Sequence, residues 1–164
     1  MKRIIAFVMC VFMLILLCAC NNIADETFTK DGITLTLTTE FIEKTYPNYH
    51  VCYESKNIAV FVLREGFDSF EGFGDYTLAQ YAELMKLNST KDGQLPTDVK
   101  LTEGVTYYEY SYLSKSDEVS YKYFTAMYKG DDAFWTVQFA TEVADYEGLK
   151  SEILKYAQTV KVNG

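Results

Sequence analysis

The chain has 164 residues, enough for one ordinary domain, and its 23 acidic residues outnumber its 15 basic ones, which gives a formal net charge of −8. This acidic balance argues against binding to nucleic acid and against electrostatic attraction to anionic lipid. The hydrophobic fraction of 49% overstates the size of the core, because apolar residues are concentrated at the amino terminus.

The amino terminus has the architecture of a signal peptide. Lys2 and Arg3 form a short cationic head, residues 4–17 are an unbroken apolar run, and polar sequence begins at Asn21. The run is shorter than the roughly 20 apolar residues that a membrane-spanning helix needs. We therefore predict that residues 1–19 direct export and are then removed.

The end of the apolar run reads Leu17-Cys18-Ala19-Cys20. It resembles the bacterial lipobox, in which an aliphatic residue stands three positions before a cysteine and a small residue stands directly before it. The resemblance implies that Cys20 is joined to diacylglycerol and becomes the first residue of a lipoprotein, anchored in the cell membrane on its extracytoplasmic side. Residues 20–27 are then a short tether. The alternative is an ordinary cleaved signal in which the cysteines are incidental.

Charge and cysteine content agree with a lipid anchor. A mature chain would lose two of the 15 basic residues and none of the 23 acidic ones, which leaves a net charge of −10. Lipid must therefore hold the domain at the surface, and two acyl chains suffice for stable anchoring. Of the four cysteines, only Cys52 lies in the predicted domain, so we expect a free thiol there and no intramolecular disulfide.

Residues 28–163 read as a single α+β domain, a largely antiparallel sheet with helices packed on it. Asp31-Gly32 between two apolar runs predicts a hairpin, and Thr77 with Gln80 has the spacing of a capping box at a helix start. Most connections are too short for parallel crossovers. Residues 58–63 are continuously apolar, which favours a central strand covered on both faces. The predicted strands are 27–30, 33–38, 50–54, 58–64, 99–101, 105–113, 119–129 and 133–141, and the predicted helices are 78–87 and 145–160.

The order of these elements resembles the PsbP-like fold, an α/β/α sandwich named for an extrinsic protein of photosystem II and shared with a Ran-binding nuclear import factor. The opening "DGITLTL", the mid-chain helix, the meander ending in "FWTVQFAT" and the terminal "YEGLKSEILKYAQTV" carry the resemblance over roughly residues 28–162. Members of this group act as binding or assembly factors, so the resemblance implies a binding module and assigns no functional residue.

Catalytic and metal-binding signals are weak. His50 and Cys52 are two residues apart on a predicted strand, so both are expected on one face, but neighbours on one strand rarely reach hydrogen-bonding distance. We expect a buried thiol beside a surface histidine. No G-x-S-x-G, S-x-x-K or phosphate-binding glycine loop occurs, and no zinc-ligand spacing is present. The sequence therefore predicts no catalytic residue, no metal and no cofactor.

The segment "REGFDSFEGFGDYT", residues 64–77, repeats an aromatic residue every three positions, with acids between them. Aromatic side chains in a loop are costly to expose to water, so either the domain or a partner must cover them. One interpretation is that the segment is a recognition loop for a partner. The alternative is that two of the aromatics pack against the sheet edge. A calcium loop is a further alternative, although Phe70 occupies the third ligand position. The candidate recognition residues are Phe67, Phe70, Glu71, Phe73, Asp75 and Tyr76.

Tyrosines dominate the meander. If Ser116-Asp117 form its first turn, Tyr112 faces Tyr121 and Tyr110 faces Tyr123 on one side of the sheet. Such a face suits packing under a helix, and it equally suits a sugar- or peptide-binding surface. The alternating positions are then expected to face solvent, namely Glu109, Ser111 and Lys122.

These observations favour a lipid-anchored extracytoplasmic module that binds an unidentified protein near the membrane and is not an enzyme. A small-ligand carrier is the alternative and should show an enclosed apolar cavity. An envelope hydrolase is the third, and it should show a concave pocket with convergent polar groups and shifted pKa values. A binding module should show an exposed aromatic patch instead.

Overall fold

A computed structural model describes residues 23–91, 94–116 and 118–163 of the chain. The predicted signal segment, the lipobox and Cys20 lie outside these ranges. Within them the fold is α+β, as predicted, with two antiparallel sheets and two α-helices. The elements are β1 (Asp25–Lys30), β2 (Ile33–Thr38), β3 (Ile42–Lys44), β4 (Val51–Glu54), β5 (Ala59–Gly66), two 3-10 turns (Phe67–Ser69 and Phe73–Asp75), α1 (Leu78–Lys91), β6 (Lys100–Thr102), β7 (Val105–Leu113), β8 (Ser120–Lys129), β9 (Ala133–Glu142), α2 (Val143–Thr159) and β10 (Lys161–Val162).

The larger sheet has seven strands in the order β3-β4-β5-β9-β8-β7-β6. Strands β7, β8 and β9 form the predicted meander, and β5 pairs with β9 so that both lie inside the sheet. The smaller sheet has the order β1-β2-β10. Its β1–β2 hairpin turns through Asp31 and Gly32, whose φ angles of 46° and 97° are the positive values that a tight hairpin turn requires.

One face of the large sheet carries the main core. Helix α2 covers it beside strand β2, whose alternating residues Ile33, Leu35 and Leu37 are buried. The helix presents Tyr146, Ile153 and other apolar residues at helical spacing to the same cluster. Since β2 and α2 share this face, the smaller sheet is fixed to the larger one through the core.

The opposite face carries a second core beneath α1. Tyr81 of the helix stacks on Phe134 of β9, with ring centroids 4.2 Å apart, and the cluster continues to Tyr108 and Met127. The helix starts as predicted. The backbone N–H of Gln80 donates to Thr77 Oγ1 at 3.2 Å, and the backbone N–H of Thr77 donates to Gln80 Oε1 at 2.8 Å. Helices thus cover both faces, which gives the expected sandwich.

The structure differs from the predictions at the shortest and outermost elements. The sequence analysis missed β3, because its three residues are all exposed and show no alternation, and it missed the two-residue β10. Strand β1 begins at Asp25, inside the stretch assigned to the tether. Only one side of β5 is fully buried, through Val60 and Val62, while Phe61 between them is half-buried.

Neither α-helix among the described residues is long and apolar enough to span a membrane. The amino-terminal apolar run lies outside the described residues.

Candidate functional site: an open aromatic face

Helix α1 covers only part of its side of the large sheet. It contacts β7 and β8, and the second core lies toward the end of β8 that contains Met127. Toward the beginning of β8 no helix of the described residues lies above this side of the sheet, and aromatic side chains line it. Several of these rings are exposed, Tyr112 by 43%. We name this region the tyrosine face, and its residues are Tyr46, Tyr49, Phe61, Tyr110, Tyr112, Tyr121 and Tyr123.

The register of the meander aligns the tyrosines as predicted. Tyr110 lies opposite Tyr123, and Tyr112 lies opposite Tyr121. The rings of Tyr110 and Tyr123 stack with centroids 4.8 Å apart, and Gln138 Nε2 of β9 donates to the Tyr110 hydroxyl at 3.3 Å. Burial and the neighbouring tyrosines raise the pKa of Tyr123 to about 12. Its hydroxyl is therefore protonated at neutral pH and can donate a hydrogen bond.

Aromatic residues from elsewhere in the chain extend this face. Tyr46 and Tyr49 precede β4 and place their rings against Phe61, at centroid distances of 5.9 Å and 4.8 Å. The Tyr46 hydroxyl also donates to Glu54 Oε1 at the end of β4. The sequence analysis missed these residues, because no local pattern connects the segment before β4 to a face built by β5 and the meander.

A pocket of about 340 Å³ opens beside the exposed rings. It lies where β4 turns into β5 and where β9 leads into α2. Three carboxylates, those of Glu54, Glu142 and Asp145, line it together with one cation, Lys56, so its surroundings are acidic. The lining residues are Glu54, Ser55, Lys56, Asn57, Ile58, Ala59, Phe61, Tyr121, Tyr123, Ala140, Thr141, Glu142 and Asp145.

Most of the aromatics in the predicted recognition loop are used for packing. Phe73 is buried and Phe67 contacts Phe134 edge-on, with centroids 5.1 Å apart. Lys129 Nζ closes the loop by donating to the carbonyl oxygens of Gly74 and Tyr76, at 2.8 Å and 2.7 Å. The packing alternative therefore describes these residues, and Tyr76 is half-buried beside Phe73.

Phe70, Glu71 and Asp75 form the exposed part of that loop. Phe70 is 47% exposed, although its ring also leans on Phe73 at 4.4 Å. The role of this loop in recognition stays a prediction, which now concerns these three side chains.

The loop and the pocket lie at opposite ends of the large sheet. Gly66 pairs with Ala133 at the beginning of β9, whereas Glu142 at its end lines the pocket. The ten residues of β9 span about 30 Å. The described chain also starts near the pocket end. Ala24 exchanges hydrogen bonds with Thr39, and Ile42, three residues further on, pairs with Glu54 of the pocket lining.

His50 and Cys52 do not share a face, contrary to the prediction. Strand β4 begins at Val51, so the alternation of side chains between the two faces does not extend to His50. The centroid of the His50 ring lies 5.3 Å from that of Trp135, on the side of the sheet that carries the main core. Cys52 pairs with Phe61 on the other side and is buried, which raises the pKa of its thiol. This arrangement does not bring the two groups together as a nucleophile and its base.

Glu109 is buried and only 4% exposed, so the prediction that it faces solvent was wrong. It lies beneath α2, where the Tyr146 hydroxyl donates to its Oε1 and Lys150 Nζ approaches that oxygen at 2.6 Å. Lys100 Nζ lies 3.4 Å from Oε2. Burial by itself would raise the pKa of Glu109, but these hydrogen bonds and positive charges hold it below the usual value.

Among the described residues, no group of three or more His, Cys, Asp or Glu side chains is placed to hold a metal ion.

Comparisons with known proteins were informative at the level of structure alone. No protein-family model matches the chain. No curated protein sequence matches it either.

The solved structures that share the fold include the following three. Cyanobacterial PsbP (CyanoP) from Synechocystis superimposes with a TM-score of 0.56 at 15% identity, over 88% of this chain and 96% of that one. The Ran-binding protein Mog1p from Saccharomyces cerevisiae gives a TM-score of 0.56 at 9% identity, over 86% and 96%. A protein from Bacteroides thetaiotaomicron gives 0.55 at 8% identity, over 85% of this chain and 48% of that one. At these identities the likeness establishes the fold, and the chain has a PsbP-like α+β fold.

Proposed function

We propose that this protein is a lipid-anchored binding module, held through Cys20 on the extracytoplasmic side of the cell membrane, that contacts a partner protein through the tyrosine face. The observation that carries the proposal is the exposed cluster of aromatic rings on a sheet face that α1 leaves open. Aromatic residues, and tyrosine in particular, are enriched at the centres of protein interfaces, where they bury a large apolar area and keep a polar hydroxyl.

The shape of the region favours binding over transport or catalysis. A carrier needs an enclosed apolar cavity, whereas the pocket beside the tyrosine face is open and ringed by charged residues. The described residues that line it include no histidine or cysteine, and the hydroxyl of Ser55 is engaged with the Ile58 carbonyl oxygen at 3.2 Å. The described lining therefore holds no Ser–His or Cys–His pair of the kind that activates a nucleophile.

The fold is compatible with a protein partner, and the predicted anchor would place that partner near the membrane. One of the proteins with this fold, Mog1p, is described as Ran-binding, so the scaffold is compatible with a protein partner. The pocket end of the sheet is also the end at which the described chain begins. The five residues from Cys20 to Ala24 are separated by four Cα–Cα steps and span at most about 14 Å. An anchored domain would thus hold the tyrosine face close to the lipid surface.

Photo-crosslinking in intact cells tests the proposal. A photoreactive p-benzoylphenylalanine in place of Tyr112, on the tyrosine face, should yield one recurring protein adduct in the membrane fraction. The same group in place of Lys155, which is exposed on α2, is the matched control and should yield none. Adducts from Lys155 alone, or equal adducts from both positions, would contradict a binding surface at the tyrosine face.

A further inference from the structure

We propose that the pocket at Glu54, Tyr121 and Glu142 receives an arginine or lysine side chain from a segment of the partner protein. This inference rests on the proposed binding function and assigns the chemistry of its central contact. The tyrosine face supplies the area of the interface, and the pocket supplies a specific acceptor for one basic residue.

The pocket is large enough to admit one long side chain. Sites for small molecules usually enclose about 300 to 1,000 Å³, and this pocket has about 340 Å³ and an open mouth. An extended segment lying along the tyrosine face could therefore insert a single long side chain while its backbone stays outside.

The charge of the pocket wall selects a cation. Glu142 and Asp145 are exposed at the start of α2, and Glu54 approaches from the end of β4. Within the described residues, none of these three carboxylates forms an ion pair with a lysine or arginine of the chain itself. Lys56 is the single basic side chain among the described residues of the lining, so these four charged groups leave a balance of two negative charges. An anionic side chain would be repelled here.

The aromatic wall supplies the second attraction. Tyr121 lies opposite Glu142 in the pairing of β8 with β9, so a ring and a carboxylate stand next to each other. A cation over an aromatic face is attracted by the electron density of the ring, and arginine also stacks on such rings. The protein uses the same chemistry internally, since Lys129 Nζ lies 5.3 Å from the Phe67 ring centroid and donates to two carbonyl oxygens.

The guanidinium group adds directional hydrogen bonding to its positive charge, because it offers five N–H donors in a planar fork that matches a carboxylate. A neutral sugar could also stack on the tyrosines, but its binding would depend little on the charge of Glu54 and Glu142.

Saturation-transfer difference NMR on the full chain in non-ionic detergent micelles tests the proposal. The probes are three blocked peptides that differ at one central position, Gly-Ser-Arg-Ser-Gly, its citrulline counterpart and its glutamate counterpart. We expect the strongest transfer on the arginine side-chain methylenes. Because citrulline keeps the shape and loses the charge, it should bind at least about threefold more weakly, and the glutamate peptide should show no transfer. Equal signals from arginine and citrulline would overturn the proposal.

Variants locate the contact. Glu54→Gln and Glu142→Gln, singly and together, keep the volume of each side chain and remove its charge, so they should weaken the arginine signal. Glu83→Gln is the matched control, since this exposed carboxylate lies on α1 and is not part of the pocket lining, and it should leave the signal unchanged. Equal losses from Glu83→Gln would reject the pocket. Binding of spermidine at far lower concentrations than the arginine peptide would identify a small-cation site and likewise reject a protein side chain.

The two proposals can fail separately. If Tyr112 crosslinks a protein whose affinity does not change in the Glu54→Gln and Glu142→Gln variants, the pocket proposal fails and the binding function stands. If no protein is crosslinked although the arginine peptide binds, the pocket recognises basic side chains and the proposed partner is lost.

Discussion

The rings of Tyr110 and Tyr123 are parallel to within 3° across strands β7 and β8, with their centroids 4.8 Å apart. This stacked pair marks the boundary between the covered and the open part of the α1 side of the sheet. Tyr110 also belongs to the second core beneath α1, whereas Tyr112, two residues further along the same strand, is exposed. The two tyrosines therefore have different roles, although they share a strand and a face.

Replacing each of these two tyrosines by alanine should change the free energy of unfolding by different amounts. Tyr110→Ala leaves a cavity beneath α1 and should lower the free energy of unfolding by about 3 to 5 kcal/mol. Tyr112→Ala removes a ring that solvent already reaches and should cost less than about 1 kcal/mol. Urea unfolding followed by circular dichroism measures both values. Similar losses in the two variants would contradict the assigned boundary.

The meander was predictable because its pattern is local. Alternating aromatic and polar residues from 105 to 141, interrupted by turn residues, define three adjacent strands, and one register satisfies the alternation in both hairpins. The pairing of Tyr110 with Tyr123 follows from that register. The predicted helix starting at residue 78 was confirmed for the same reason, because its capping residues are close in sequence.

The pocket and the buried charge were not predictable, because both depend on tertiary contacts. Glu54 and Glu142 are 88 residues apart and meet only after β5 pairs with β9. Glu109 occupies a position that alternation assigns to the side opposite the tyrosines, and it is buried there because α2 places Tyr146 and Lys150 above it. A sequence pattern indicates which side a residue faces but not what will cover that side.

Glu109 should make the protein sensitive to acid. Because its pKa is lowered in the folded state, its charge stabilises the fold above the unfolded pKa of about 4.3, and this contribution is lost as the pH falls through the lower folded pKa. Glu109→Gln should reduce the free energy of unfolding by about 1 to 3 kcal/mol at neutral pH. The difference from wild type should shrink on acidification. Thermal unfolding measured across this pH range tests the prediction. If the difference in stability between wild type and Glu109→Gln does not change with pH, the charge is not responsible for it.

Cys52 should resist alkylation in the native protein. It is buried next to Phe61, and burial raises the pKa of its thiol, so little thiolate is present at neutral pH. Peptide mass spectrometry after iodoacetamide treatment distinguishes this cysteine from the three at the amino terminus. We expect slow labelling in buffer and rapid labelling in urea. Equal rates in the two conditions would mean that the thiol is accessible.

Cys20 should be required for membrane attachment. The change Cys20→Ala removes the thiol that the lipobox resemblance assigns to diacylglycerol, so the chain should accumulate as an unacylated precursor. Detergent phase partitioning and intact mass measurement distinguish the two forms. The change Cys18→Ala is the matched control, because it keeps the cysteine at position 20, and it should leave acylation unchanged. An acylated Cys20→Ala protein would reject the anchor.

The affinity of the crosslinked partner tests the central claim most directly. Isothermal titration should compare the wild-type protein, the double variant Tyr112→Ala with Tyr121→Ala, and Phe70→Ala, which alters the exposed aromatic at the opposite end of the sheet. Removing tyrosine anchors from an interface typically weakens binding by roughly tenfold or more. We predict this loss in the double variant and an affinity within about twofold of wild type for Phe70→Ala. The reverse result would move the binding surface to the loop of residues 64–77 and contradict the account.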